Sequence, residues 1–187
     1  MANDGIIGVD YFSPTMPEYY RLPETRALSK NHTPHEDLVE QLYTALELTG
    51  ALGTWKVPTE PDEYRLKPDA ICVYQGKIIF WEVDRGTEDY LTPKGIKGKL
   101  DRYLQMSKAN PELRLYTGFT TVSQFDRFGK LKRTDIARAK GILELINTYG
   151  RADQFFVSTH NYTIRHADQR AFSTYLNPMG IAIADFR

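Results

Sequence analysis

The sequence predicts an open mixed α/β sheet flanked by helices, with core order α, β, β, β, α, β. Three observations carry that expectation. Two β-rich runs, Pro68–Tyr74 and Lys77–Asp84, are separated only by Gln75-Gly76, which calls for a tight antiparallel hairpin. Amphipathic helical patterns precede and follow that hairpin, each opening on a Thr-Pro pair. Strand-like runs then alternate with helical ones to residue 159, the pattern of strands joined by helical crossovers.

Taken in order, residues 1–32 are expected to be an irregular N-terminal arm, because Pro14, Pro17 and Pro23 interrupt a stretch with no sustained period. Residues 33–187 are expected to be a single domain, since a chain of 187 residues with 41% hydrophobic composition supports one well-buried core. The first helix is predicted over 34–49, with Thr33 as N-cap, Pro34 in the first turn, Glu36 completing a capping box, and Leu38, Leu42, Ala45 and Leu46 at helical spacing before Gly50. A short strand is predicted over Trp55–Glu60. After the hairpin, a second helix should start near Thr92-Pro93 and bury Ile96, Leu100, Tyr103 and Leu104. Leu113–Val122 should be a strand, Thr134–Tyr149 a third helix with Ile136, Leu143 and Ile146 inward, and Gln154–Thr159 the last core strand.

No run of about eighteen apolar residues and no signal-like amino terminus is present, so a cytoplasmic protein without a membrane partner is expected. The single cysteine, Cys72, lies in an apolar run and reads as a buried structural thiol. His35, His160 and His166 lack the spacing of a zinc site. No glycine-rich phosphate loop, serine triad or dinucleotide fingerprint occurs.

The net charge is zero but unevenly spread. Residues 34–93 hold 5 Lys/Arg against 12 Asp/Glu, and residues 94–140 hold 12 against 4. An acidic half suited to cations beside a basic half suited to phosphates fits a DNA partner and a metal-dependent nuclease. The candidate backbone-binding residues are Lys94, Lys97, Arg102, Lys130, Lys132 and Arg133, with Arg127 and Arg138 nearby.

The hairpin concentrates the chemistry. With Gln75 and Gly76 as the two loop residues, Tyr74 faces Lys77, Ile71 faces Phe80, and Asp69 faces Glu82. Alternation then puts Asp69, Ile71, Val73, Ile78, Phe80, Glu82 and Asp84 on one face. Carboxylates directly opposite one another, with Cβ atoms about 5 Å apart, repel. A divalent cation, a bound proton or a nearby lysine is needed to offset that repulsion. Clustered carboxylates suit Mg²⁺ or Mn²⁺.

These residues resemble the PD-(D/E)xK nuclease superfamily, of restriction-endonuclease-like fold. Pro68-Asp69 looks like its PD, and Glu82-Val83-Asp84 stands where its (D/E)xK tripeptide falls. More narrowly, Trp55, Glu60, Pro68-Asp69-Ala70, the run Glu82-Val83-Asp84-Arg85-Gly86-Thr87 and the stretch Lys99–Tyr103 resemble the replication-relaxation family of plasmid and mobile-element proteins, over about residues 35–160. The resemblance implies a Mg²⁺- or Mn²⁺-dependent endonuclease, nickase or mobilisation factor acting on DNA. Asp69 and Glu82 would be metal ligands, Asp84 an assisting acid, and Glu36 or Glu40 a further ligand from the first helix. Position 84 carries Asp where the superfamily carries its lysine. Either Lys99, Lys97 or Lys67 replaces that lysine, or the site has decayed and the chain is a non-catalytic DNA-binding replication accessory protein. The family's usual winged-helix segment is not expected within residues 1–32. Oligomeric state is open, with a homo-oligomer allowed.

Overall fold

A computed structural model describes residues 8–10, 19–21, 33–86, 88–126, 128–150, 153–167 and 170–185. The chain divides into two compact units, residues 1–37 and 38–187. Within the first, β1 (Gly8–Asp10) pairs antiparallel with β2 (Tyr19–Arg21), Val9 opposite Tyr20. This small ribbon was not legible among the prolines.

α1 (Thr33–Glu47) starts where the Thr-Pro pair predicts; the side chains of its cap lie outside the described residues. Five strands follow in one sheet: β3 (Leu52–Lys56), β4 (Ala70–Tyr74), β5 (Lys77–Asp84), β6 (Leu115–Thr121) and, after the hairpin strands β7 (Gln124–Phe125) and β8 (Leu131–Arg133), β9 (Phe155–Thr159). The sheet order is β3-β4-β5-β6-β9, with antiparallel pairing among the first three and parallel pairing from β5 onward. The parallel steps are bridged by α2 (Ile96–Ala109) and α3 (Asp135–Thr148), as parallel neighbours require a crossover. A short α4 (His160–Arg165) and a 3-10 turn (Ala171–Thr174) follow β9. The architecture is thus a mixed α/β fold with a five-stranded mixed sheet and flanking helices.

The β4–β5 turn obeys the predicted register, with Tyr74 opposite Lys77, Ile71 opposite Phe80 and Ala70 opposite Trp81. Gln75 (φ 48°) and Gly76 (φ 75°) both take positive φ, the requirement of a two-residue turn whose twist matches its strands. Side-chain alternation along β5 feeds two cores. Ile79, Trp81 and Val83 pack with Leu42 and Leu46 of α1 and with Phe172, Tyr175 and Ile183. Phe80 packs on the other face with Ile96, Leu100, Tyr103 and Leu104 of α2, Phe119, and Ile142 and Ile146 of α3. All seven residues of β6 are buried, as expected for a central strand covered on both faces.

Two boundaries and the facing of one residue differ from the sequence reading. The first sheet strand runs over Leu52–Lys56 rather than Trp55–Glu60, because Pro58 has no N–H to give a ladder. It pairs with β4 through an irregularity between Leu52 and Trp55. α2 starts at Ile96 with Gly95 as N-cap, not near Thr92-Pro93. That pair instead forms a turn closed by Gly95 N donating to the Thr92 carbonyl at 3.0 Å. Ile136, expected inward, is 59% exposed in the first turn of α3, whereas Ile146 is fully buried. No helix among the described residues is long and apolar enough to cross a membrane.

Candidate active site

Glu82 and Asp84 occupy the C-terminal end of β5, on the face covered by α2 and α3, continuing the row begun by Ile78 and Phe80. Asp69 stands just before β4. Its backbone N–H donates to the Trp81 carbonyl (2.9 Å), and its Oδ2 accepts from Val83 N (2.7 Å). The paired register ends at Ala70 opposite Trp81; Asp69 lies just beyond it, tied to β5 by these two bonds and close enough to raise the pKa of Glu82. The two acids are neighbours, but they are not paired directly across the ladder as the sequence register predicts.

What faces Glu82 is a lysine. Lys99 Nζ lies 2.6 Å from Glu82 Oε2 and 2.6 Å from Glu88 Oε1. One turn further along α2, Tyr103 donates its hydroxyl to Glu82 Oε1 at 2.5 Å. The i, i+4 spacing puts both groups on the helix face that meets β5, where Tyr103 also packs against Phe80 with ring centroids 5.6 Å apart. Glu82 is only 2% exposed. Burial pushes its pKa up to about 7; Lys99 opposes this and Asp69 reinforces it. Burial disfavours the Lys99 ammonium, but the Glu82 and Glu88 carboxylates outweigh that, so Lys99 stays charged beyond the ordinary lysine range. Burial and the Glu82 charge hold the Tyr103 phenol well above its usual value, so it remains a donor.

Asp84 is engaged differently. Its Oδ2 receives Nε (2.7 Å) and Nη2 (2.5 Å) of Arg138, and its Oδ1 accepts from Gly86 N at 3.0 Å. Burial raises the Asp84 pKa while Arg138 pulls against it. Arg138 is itself 1% exposed, so it is part of the interior rather than the surface phosphate clamp anticipated from sequence. It donates further to the Glu88 carbonyl (3.1 Å) and lies over the Tyr90 ring (5.0 Å). A cavity of about 360 Å³ opens beside this pair, lined by Glu88, Asp89, Tyr90, Gln124, Arg133 and Arg138.

The other candidates are dispersed. Lys94 is exposed, Lys97 pairs with Asp101 at 3.0 Å on the outside of α2, and Arg102 is half-buried. Lys67 is exposed. Lys130, Lys132 and Arg133 are exposed on the β7–β8 hairpin, and Arg127 lies outside the described residues. Glu36 and Glu40 are exposed on α1. His160 accepts or donates a 3.0 Å hydrogen bond with Gln41, a structural role. Cys72 is buried, receives the Trp81 indole N–H at 3.1 Å, and is pushed up to about 12 by burial. Tyr103, Glu88 and Arg138 are the residues sequence reasoning did not assign to the site. For Tyr103 the signal was its position four residues after Lys99 on a helix facing β5.

Among the described residues, no group of three or more His, Cys, Asp or Glu side chains is arranged to hold a metal ion. The donors nearest to that role are Asp69 and Glu82, with Glu88 across Lys99. Glu88 Oε2 is buried without a hydrogen-bond partner among the described residues.

Fold and site together define a mixed α/β protein with a buried acid–lysine–tyrosine cluster at the carboxyl end of a parallel strand, where open sheets commonly bind ligands. The replication-relaxation sequence profile matches residues 7–122, a span holding Asp69, Glu82, Lys99 and Tyr103, and the chain belongs to that family. Membership suggests a role in the replication or mobilisation of plasmids or other mobile elements. The match begins in the N-terminal arm and stops at the end of β6, so it is placed earlier than residues 35–160. Neither the curated proteins nor the solved structures supply a significant match.

Proposed function

We propose that this protein is a DNA phosphodiesterase, an endonuclease or nickase of a mobile element, on a restriction-endonuclease-like fold, with Asp69, Glu82 and Lys99 as its catalytic residues. The observation that carries the reading is Lys99 Nζ at 2.6 Å from Glu82. Position 84 lacks the superfamily's lysine, and α2 supplies an ammonium at the second acid instead.

The cation proposed for the cluster is one Mg²⁺ or Mn²⁺. Mg²⁺ characteristically takes one or two protein carboxylates and completes its shell with water and phosphate oxygens. Three carboxylates, Glu82 and Glu88 at Lys99 and Asp69 near Glu82, are set against the Lys99 ammonium. That residual negative charge supports a cation held by Asp69 and Glu82. When bound, such an ion supplies an activated water and charge stabilisation at phosphorus.

The chain's own groups divide the remaining work. Lys99, held protonated, orients water or phosphate by donating and does not act as base. Glu82, as a ligand of the cation, would stay ionised and take no part in proton transfer. Tyr103 fixes the Glu82 carboxylate. Asp84, neutralised by Arg138, supports the Glu88 segment and so the second partner of Lys99. Lys94, Lys97, Arg102, Lys130, Lys132 and Arg133 are assigned to the DNA backbone.

The test is conversion of supercoiled plasmid to open circle in Mg²⁺. Asp69→Asn and Lys99→Met should each lower the rate at least 100-fold with the circular dichroism spectrum retained. Equal rates for both variants and the parent would refute the assignment. A second reading, a non-catalytic DNA-binding accessory protein, is favoured by the saturation of both Glu82 oxygens by Lys99 and Tyr103. It predicts salt-sensitive DNA binding with no cleavage in either metal.

A further inference from the structure

Between β6 and α3 the chain leaves the main sheet as a separate hairpin, β7 against β8, with Gln124 opposite Arg133 and Phe125 opposite Leu131. Asp126 fixes its turn. The carboxylate Oδ1 accepts from Phe128 N (2.8 Å) and Lys130 N (2.9 Å), the backbone N–H of Asp126 donates to the Lys130 carbonyl (2.9 Å), and Gly129 N donates to the Asp126 carbonyl (3.0 Å). Gly129 takes φ 77°, which a side chain would resist.

This ordered turn presents large apolar groups to solvent: Phe128 is 80% exposed, Phe125 58% and Leu131 48%. Lys130, Lys132 and Arg133 alternate with them and are exposed too. A purely apolar tip suits many partners. Aromatics interleaved with cations over so few residues match one chemistry in particular, flat bases strung on phosphates. Preorganisation of the turn reduces the entropy lost on contact.

The base of the hairpin is tied to the acid cluster. The Arg133 guanidinium lies 5.2 Å over the Tyr90 ring, Tyr90 donates its hydroxyl to the Arg138 carbonyl (3.2 Å), and Arg138 holds Gln124 (3.4 Å) together with Asp84. The base of the hairpin is thereby tied to Asp84, two residues along β5 from Glu82.

We infer that β7, β8 and Phe128 between them form a base-stacking wedge: Phe128 stacks on a DNA base while Lys130, Lys132 and Arg133 hold the flanking phosphates, presenting the neighbouring backbone to Asp69, Glu82 and Lys99. This rests on the proposed action on DNA and adds the element that engages the bases. The stacked base can come from an unpaired nucleotide or from a duplex step opened by insertion.

The experiment uses the full chain in EDTA, with 2-aminopurine placed either opposite a gap or inside an intact duplex, and reads fluorescence and affinity together. Binding should change the fluorescence in at least one DNA. A change confined to the gapped DNA identifies an unpaired base, and a change in both identifies insertion. Phe128→Ala should abolish the change and weaken binding about tenfold, and Phe128→Trp should restore both. Lys130→Ala with Lys132→Ala should instead lower the dependence of log affinity on log salt by about two. DNA binding with no fluorescence change and unaltered by Phe128→Ala overturns the wedge and leaves the nuclease reading standing. No binding to either DNA at low salt overturns both and assigns the hairpin to a protein partner.

Discussion

Replacing Lys99 by methionine removes the ammonium that faces Glu82 while keeping the bulk of the stem. Glu82 is 2% exposed and would keep only the Tyr103 hydroxyl. Stranding a buried carboxylate in this way costs about 3–5 kcal/mol when it must stay ionised, but Glu82 can take up a proton instead. Its folded pKa, about 7, already lies above the ordinary 4.5. The neutral form is therefore favoured by folding, and the stability this confers is complete below about pH 4.5 and lost as the pH rises to 7. Without Lys99 the folded pKa moves higher, so that loss continues at full slope through pH 7 and 8 in the variant while the parent levels off above pH 7. The gap in stability should be steady below about pH 6 and widen by about 1.4 kcal/mol between pH 6 and pH 8. For a chain of this size that is about 3–5 °C in Tm. Thermal melts followed by circular dichroism at pH 6, 7 and 8 measure it, with Lys97→Met as the exposed control. A gap equal at pH 6 and pH 8, or widening equally in Lys97→Met, would refute the coupling of Lys99 to a buried Glu82.

Arg138→Met should destabilise the protein by about 3–5 kcal/mol in urea unfolding, because Asp84 is left buried and unpaired; a loss under 1 kcal/mol would mean that Asp84 is solvated. Gly118→Ala should cost about 1–3 kcal/mol by the same assay, since a Cβ there runs into the Trp81 ring; a neutral result would show that the sheet core is loose at β5–β6. Tyr103→Phe removes a charge-assisted hydrogen bond to Glu82, worth about 1.5–3 kcal/mol, and should shift the pH optimum of cleavage; a wild-type pH profile would deny it a positioning role.

The sheet and one corner of the site could be read in advance because their determinants are local. Gln75-Gly76 between two β-rich runs fixes the register as far as Ala70 opposite Trp81, which leaves Asp69 at the end of β5 near Glu82. The offset to their repulsion stayed open between a metal, a proton and a lysine, since sequence does not say which way a helix faces. The packing of Ile96, Leu100 and Tyr103 on Phe80 turns Lys99 inward and Lys97 outward to Asp101. Arg138 was misplaced for a similar reason. It looked like one cation in a basic stretch, and only the approach of α3 to the end of β5, 54 residues away in the chain, buries it against Asp84. The hairpin at 124–133 was taken for a basic loop because its two- and three-residue strands are too short for a period to register.

The central claim, a divalent ion held by Asp69 and Glu82 beside Lys99, is tested most directly by titrating the full chain with Mn²⁺ and reading free ion by electron paramagnetic resonance. One site per chain is predicted, lost in Asp69→Asn and retained in Asp101→Asn. Equal uptake by the parent and Asp69→Asn, or no uptake by either, would contradict the account.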